Sequence, residues 1–400
     1  MRRTLPIALL LASALAISGQ VAVRGQKVYT MAGPPIDDGV VLIRAGKIER
    51  VGPASQVSIP AGYRTLRAAV VTPGLVDAHS TLGLSGILNA PQDQDQVERS
   101  TAMQPELRAI DSYNVREPLI EYVRSYGVTT VHTGHGPGIL MSGQTMIVKT
   151  AGASVDEATV VPLAMVAVTL GDGARESAGK SPGTRAKAIA MLRSELIKAQ
   201  EYSLKAAKKE AAFTRDLHLE TLARVTSREI PLLVTVHRAG DILTAIRVAK
   251  EFDIRMILDG AAEAYLVADQ IKASGYPVIV HPTMQHGATE LANLTFENAS
   301  KLKAAGVQFA LQSGFEGYVP KARVILFEAA MAAANGMSFD GALASITIDA
   351  ARIIGADKRV GSLEAGKDGD VALYDGDPFE YTTHCTGVVL NGAVVSEIKR

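Results

Sequence analysis

The chain has no tryptophan and only one cysteine, Cys385, in 400 residues. A single thiol cannot close an internal disulfide, so no such staple holds the fold in any redox compartment. We read Cys385 as a quiet residue near a strand rather than a reactive thiol. There is no charge excess either: 41 Lys and Arg balance 41 Asp and Glu. A nucleic-acid-binding surface needs a basic footprint, which this balance does not supply. No Gly-x-Ser-x-Gly elbow and no Walker-type phosphate loop occurs, which argues against serine hydrolases of that type and P-loop enzymes. Long apolar runs are also missing, except one at the N-terminus.

What is present suits a large buried core: 47% hydrophobic residues and 20% charged. Arg2-Arg3, an apolar run from Leu5 to Ile17, and Ala14-Leu15-Ala16 stand in the order of a signal peptide with its cleavage site. The run is shorter than the ~20 residues a membrane-spanning helix needs. The expectation is a periplasmic protein with signal peptide 1–20 and a mature start between Ile17 and Val21. No transmembrane segment remains once the peptide is removed.

Short strand patterns stand at both ends. One set includes Val21–Tyr29 and Gly39-Val-Val-Leu-Ile-Arg, with a turn at Gly46. The other ends in a hairpin signal at Asn391-Gly392. They predict a small β-sandwich assembled from 21–69 and 357–400 around a middle domain, 70–356. The middle reads as strands Val70–Ser80, Val128–Thr133, Met146–Thr150, Val161–Thr169, Leu232–His237, Arg255–Asp259, Pro277–His281 and Gln308–Gln312. Most are continuous apolar runs, as in parallel strands buried on both faces, and helical patterns separate several of them. Eight such strands predict an α/β fold of the (β/α)8, TIM-like barrel class. An open doubly wound sheet is the alternative. The lack of a Gly-rich loop after the first strand disfavours it.

Four stretches carry a family likeness: Gly39-Val-Val-Leu-Ile-Arg-Ala-Gly-Lys-Ile with Val51-Gly52-Pro53; Val71-Thr-Pro-Gly-Leu-Val-Asp-Ala-His79; Tyr126-Gly-Val-Thr-Thr with Ser142-Gly-Gln-Thr-Met-Ile-Val-Lys149; and Gly361-Ser-Leu-Glu-Ala-Gly-Lys-Asp-Gly-Asp-Val-Ala-Leu. Together they resemble the amidohydrolase superfamily, in particular its secreted imidazolonepropionase-like members, over almost the whole mature chain. The resemblance implies one or two divalent metal ions. Their ligands are His-x-His on strand 1, a carboxylated Lys or a Glu near strand 4, and His on strands 5 and 6. An Asp ending strand 8 serves as base toward metal-bound water, whose pKa the metal lowers.

Carried over, His79 matches the first ligand and Thr81 stands in place of the second. A Thr hydroxyl is a poor ligand for a divalent metal. His237 matches the strand-5 ligand. Lys149 is the candidate bridging Lys, although it falls on the third strand. Asp259-Gly260 occupies the strand-6 position, His281 ends strand 7, and Gln312, Ser313 and Gly314 replace the strand-8 Asp. His132 and His135 follow strand 2 beside a Gly-rich turn. His218, His286 and His384 read as surface or loop residues. The metal candidates are therefore His79, His237 and Lys149, serving one divalent ion, zinc by preference, or none. A mononuclear site from His79, His237 and either His281 or Asp259 stays open, as does a set of relict polar residues. Two functions follow: a hydrolase of C–N bonds with an incomplete metal site, or a non-catalytic barrel that binds a small ligand or a partner protein. A homo-oligomer is compatible with either.

Overall fold

The computed structural model describes residues 19–88, 90–176, 180–208, 213–283, 285, 287–314 and 325–400. Most of the expected signal peptide, and His286, lie outside the described residues. The strands are β1 (Val21–Val28), β2 (Ile36–Arg44), β3 (Lys47–Pro53), β4 (Arg64–Pro73), β5 (Leu75–Ser80), β6 (Val128–Gly134), β7 (Met141–Lys149), β8 (Thr159–Val161), β9 (Val166–Thr169), β10 (Leu232–Val236), β11 (Met256–Gly260), β12 (Val278–Val280), β13 (Phe309–Leu311), β14 (Val371–Tyr374), β15 (Cys385–Leu390) and β16 (Ala393–Ser396).

Period-2 alternation organises the chain ends. Val21, Val23, Val41 and Ile43 enter one apolar cluster, while their neighbours Ala22, Val40 and Leu42 enter another. The two ends share one seven-stranded sheet, in the order β16-β15-β14-β4-β1-β2-β3. This separate sheet beside the barrel fits the sandwich expected from the sequence. Cys385 is buried in it, and burial pushes its thiol up to about 12, so the thiolate needed for reactivity is absent at neutral pH.

The barrel follows the order β13-β12-β11-β10-β9-β7-β6-β5, with β8 paired to β7. A bridge between Ser80 and Gly314 closes the seam between β5 and β13. The first expected strand divides at Gly74: β4 joins the end sheet and β5 the barrel. A Cβ at Gly74 would lie 2.2 Å from Thr129 Oγ1, so only glycine fits this close crossing. The fourth expected strand resolves into β8 and β9.

One strand departs from the parallel expectation. β7 runs antiparallel to both β6 and β9. Only His135 to Leu140 separate β6 from β7, whereas a parallel crossover needs a dozen or more residues. A hairpin is what this length allows.

Inside the barrel, alternate residues stack in layers. Val76, Ala78, Ile147, Leu233, Ile257, Ile279 and Ala310 form one buried apolar layer, closed by the helix Ile348–Ile354. The opposite parity, including Val234, Leu258, Val280 and Leu311, packs in the larger cluster that includes the surrounding helices. Two residues beyond the layer toward the C-terminal ends of the parallel strands stand Thr235, Asp259, His281 and Gln312. On the reversed β7 the order inverts, so Lys149 lies two residues beyond Ile147 in the other direction.

That reversal decides the surroundings of Lys149. It pairs in register with Thr130, near the start of β6. Its ammonium contacts Asp370 and lies 2.9 Å from Asp368, all three groups buried. Burial works against the Asp368 carboxylate, but Lys149, Lys47 and Arg359 outweigh it and hold the group down to about 2. Lys149 thus ties the barrel floor to the segment entering β14. Lys149→Met should leave a buried carboxylate pair undercompensated and cost about 3–5 kcal/mol. Urea denaturation checks this, and a loss below about 1 kcal/mol would contradict the clamp.

Candidate functional site

The parallel strands end at one face, where barrel active sites gather. Each polar residue of the upper layer arrives there through the same alternation. Asp259 is its centre. It is fully buried, and its two oxygens take three donors from three other strands. His79 Nδ1 stands 3.0 Å from Oδ1 and Gln312 Nε2 donates to the same oxygen at 2.7 Å, while Thr235 Oγ1 donates to Oδ2 at 2.6 Å. Burial alone would raise this carboxylate. The charge on His79 and the three hydrogen bonds instead hold it below its ordinary value.

His132 stacks beside His79 with ring centroids 5.6 Å apart. Its Nδ1 stands 2.7 Å from the Ala78 carbonyl oxygen and its Nε2 2.7 Å from Thr145 Oγ1. Burial first, then positive charge on His79, pushes His132 down to about 3. It is therefore a neutral structural imidazole. At the seam, Asp77 accepts hydrogen bonds from Ser313 N at 3.1 Å, from the Ser313 hydroxyl, and from His79 N at 3.3 Å. Burial still raises Asp77 to about 6. These bonds join β5 to the end of β13 where their backbones share a single bridge.

His237 follows β10 and is half-buried. Gly260, at φ +74°, ends β11. A Cβ there would stand 2.5 Å from His237 Cε1, so the missing side chain makes room for the ring. Burial lowers His237 to about 4; Asp259 opposes the shift and His281 adds to it. Its Nδ1 has no hydrogen-bond partner among the described residues. His281 donates its backbone N–H to Gly260 O at 3.0 Å, and its Nδ1 lies 3.7 Å from Glu328 Oε1. Glu328 is itself buried and receives the Thr283 N–H at 2.6 Å.

Of the three metal candidates, the structure brings His79 and His237 to the same face and leaves Lys149 at the opposite end. His79 and Asp259 meet directly, and Gln312 joins them. Thr81 accepts the Ser85 hydroxyl at 2.9 Å. His135 is buried against Gly143. His218 pairs with Glu106 and Glu195, and His384 with Asp375. Asp77, Thr235, Thr145 and Glu328 were not singled out from the sequence. For Asp77 a signal existed, two residues before His79 on one strand. For Glu328 none existed, since it comes from a distant helix.

Among the described residues the donors do not assemble the two-ion centre that the family likeness implies. Asp259 is committed to three internal donors, Thr81 replaces an imidazole, and Lys149 is committed to Asp368 and Asp370. Among the described residues no three His, Cys, Asp or Glu side chains converge as a metal site.

An eight-stranded barrel with helices outside and a sheet built from both chain ends is the architecture of metal-dependent hydrolases of this type. The comparisons agree. The amidohydrolase family model matches residues 327–396. An imidazolonepropionase from Rhizorhabdus wittichii is 25% identical over 88% of this chain and 92% of its own. Amidohydrolase tasK from Hapsidospora irregularis is 25% identical over 85% of this chain, which spans only 38% of that longer protein. A solved amidohydrolase from Thermotoga maritima superposes with a TM-score of 0.89 at 28% identity, over 95% of this chain and all of its own. The chain belongs to the amidohydrolase superfamily.

Two predictions follow from the site. His132 and His237 have folded values below 6.5, so their stabilisation is complete above pH 6.5 and is lost as pH falls toward those values. Asp77, raised to about 6, works in the opposite sense: its protonated form favours the fold at low pH. The two histidines outnumber it by one proton, or about 1.4 kcal/mol per pH unit. The melting temperature should fall between pH 6.5 and 4.5, and a flat or rising profile would contradict these assignments. Separately, Gly260→Ala should displace His237 and cost at least ~1 kcal/mol for the left-handed backbone alone. An NMR titration should then find the His237 imidazole shifted back toward 6.5.

Proposed function

We propose that the chain is a periplasmic hydrolase that cleaves a C–N bond of a small amide, peptide-like or cyclic substrate at the barrel mouth, with an incomplete metal set. The export element rests on the signal-like N-terminus. The chemistry rests on family membership and on the whole-chain likeness to amidohydrolases. Members of this superfamily are typically metal-dependent. Among the described residues no helix is long and apolar enough to cross a membrane.

The observation that carries the reading is His237. Its ring sits at the mouth, neutral at physiological pH, with no partner for Nδ1 among the described residues. A neutral imidazole offers a lone pair without first releasing a proton, so it can accept a hydrogen bond from water or a substrate N–H, or coordinate a cation. With a value near 4 it is a weak general base. Its stronger contribution is positioning. Asp259 meets the Nδ1 side of His79 at 3.0 Å, which turns the Nε2 edge of that ring away from the carboxylate. A second reading, a non-catalytic barrel binding a small ligand or partner, is favoured by one feature: His79, Asp259 and Gln312 already satisfy one another.

The test screens small amides, dipeptides and cyclic imides with protein purified without chelator, and measures its metal content. We expect turnover, fewer than two metal equivalents per chain, and a loss of about 100-fold or more in His237→Ala. Two equivalents of zinc, manganese or iron would overturn the incomplete-site reading. Absence of both turnover and metal would establish the binding reading instead. N-terminal sequencing of the exported protein checks the location, and a mature form retaining Met1 would count against it.

A further inference from the structure

The loop after β12 does not stay over its own strand. Residues 287–293 cross the ends of β11, β10 and β9, fastened at each. The Asn293 amide donates to Glu263 Oε1 at 2.8 Å, after β11. The Arg238 guanidinium, after β10, donates to the Thr289 carbonyl at 3.4 Å. At the far end, the Glu290 carboxylate takes the Asp172 N–H at 2.6 Å, just after β9, with support from the Gly173 N–H. Gly171, at φ +80°, makes this possible: a Cβ there would stand 2.1 Å from Glu290 Oε1. Tyr265 holds the strap's other side through its hydroxyl, which donates to Asn293 O at 3.0 Å. Arg185, Arg238, Asp241, Glu263, Thr289 and Asn293 border a polar cavity of about 550 Å³ beside the strap.

We infer that residues 287–293 are a strap governing access to the barrel mouth, and that Glu290 is its releasable catch. This stands on the strap's own contacts and not on the hydrolytic reading.

The catch is loaded against itself. Asp172, from the loop after β9, and Asp241, on the helix Ala239–Glu251, both face the Glu290 carboxylate, and a Cβ on Gly171 would also stand 3.0 Å from Asp241 Oδ2. Arg185, on the helix Arg185–Lys208, pairs with both acids, Arg175 pairs with Asp172, and Arg238 reaches Asp172 at 3.5 Å. These cations are spread over the neighbouring acids and none is paired with Glu290 itself. Burial, then Asp172 and Asp241, raise Glu290 above its ordinary value. A value higher when fastened than when released means that protonation favours the fastened form. The strap therefore holds more tightly as pH falls and loosens as pH rises.

Hydrogen exchange read by mass spectrometry tests this, with rates corrected for the intrinsic pH dependence of amide exchange. Glu290→Ala removes the catch. It should speed exchange about 5- to 10-fold at 171–174 and 287–293, leaving the end-sheet strands 385–396 unchanged. Glu290→Gln keeps the shape without the charge and should slow exchange in the same segments at pH 7. Wild type should approach the Gln variant as pH is lowered to 5, while the Gln variant itself stays constant. Gly171→Ala should mimic Glu290→Ala. Unchanged exchange at 287–293 in Glu290→Ala would overturn the inference. So would equal acceleration throughout the barrel, which marks a general stabiliser, or a Gln variant as loose as the Ala variant.

Discussion

The upper barrel depends on keeping one charge, the Asp259 carboxylate, fully buried. An unpaired carboxylate in such a place costs several kcal/mol, so the surrounding residues are constrained to supply donors. They come from β5, β10 and β13, which reach Asp259 on β11 from both sides. The same bonds lock the ends of four strands against one another. Removing any one donor leaves the others in place but strands part of the charge. For this reason the network's first consequence is structural, and its availability to a ligand is secondary.

The barrel interior is divided by its own alternation. Below the apolar layer of Ile147, Leu233, Ile257, Ile279 and Ala310 lies the cluster of Lys149, Asp368 and Asp370, with Lys47 and Arg359 at its edge. Above it lie Asp259, the histidines and Gln312. The floor cluster fastens two sheets together, whereas the upper one ties the ends of β5, β10, β11 and β13 to one another. A lysine that reads as part of the site by residue type belongs to the floor because its strand runs backwards.

That contrast marks how much the sequence disclosed. The positions of His237, Asp259, His281 and Gln312 were legible, since each ends an apolar run whose period carries it inward, whereas His79 follows the inward Ala78 by one residue and was legible from the family likeness. The direction of β7 was not. Its start was placed five residues late, which made the link from β6 look longer than a hairpin. Thr235 and Thr145 were silent because a threonine inside a strand reads as an ordinary β-former. Glu328 and Glu290 act across long stretches of chain, and no local pattern announces a partner more than forty residues away. The paired end sheet was legible because both of its halves carry strong turn signals, at Gly46 and Asn391-Gly392.

The mouth is not uniform around its rim. On the side of β5, β11 and β13, the carboxylates of Asp77 and Asp259 are each met by donors from neighbouring strands. On the side of β10 and β12, His237 is neutral and its Nδ1 has no partner among the described residues, while the His281 Nδ1 lies 3.7 Å from the buried Glu328. Gly260 connects the two halves by letting the His237 ring lie over the end of β11. Polar groups whose needs are met inside the protein resist rearrangement, because a ligand must first break what already satisfies them. A polar group left unmet gains from any ligand that reaches it. The strap at 287–293 is fastened to the segments that follow β9, β10 and β11 and reaches neither β5 nor β13. The rim is therefore asymmetric: the β5 side is braced by its own hydrogen bonds, while the Nδ1 of His237 has no partner among the described residues.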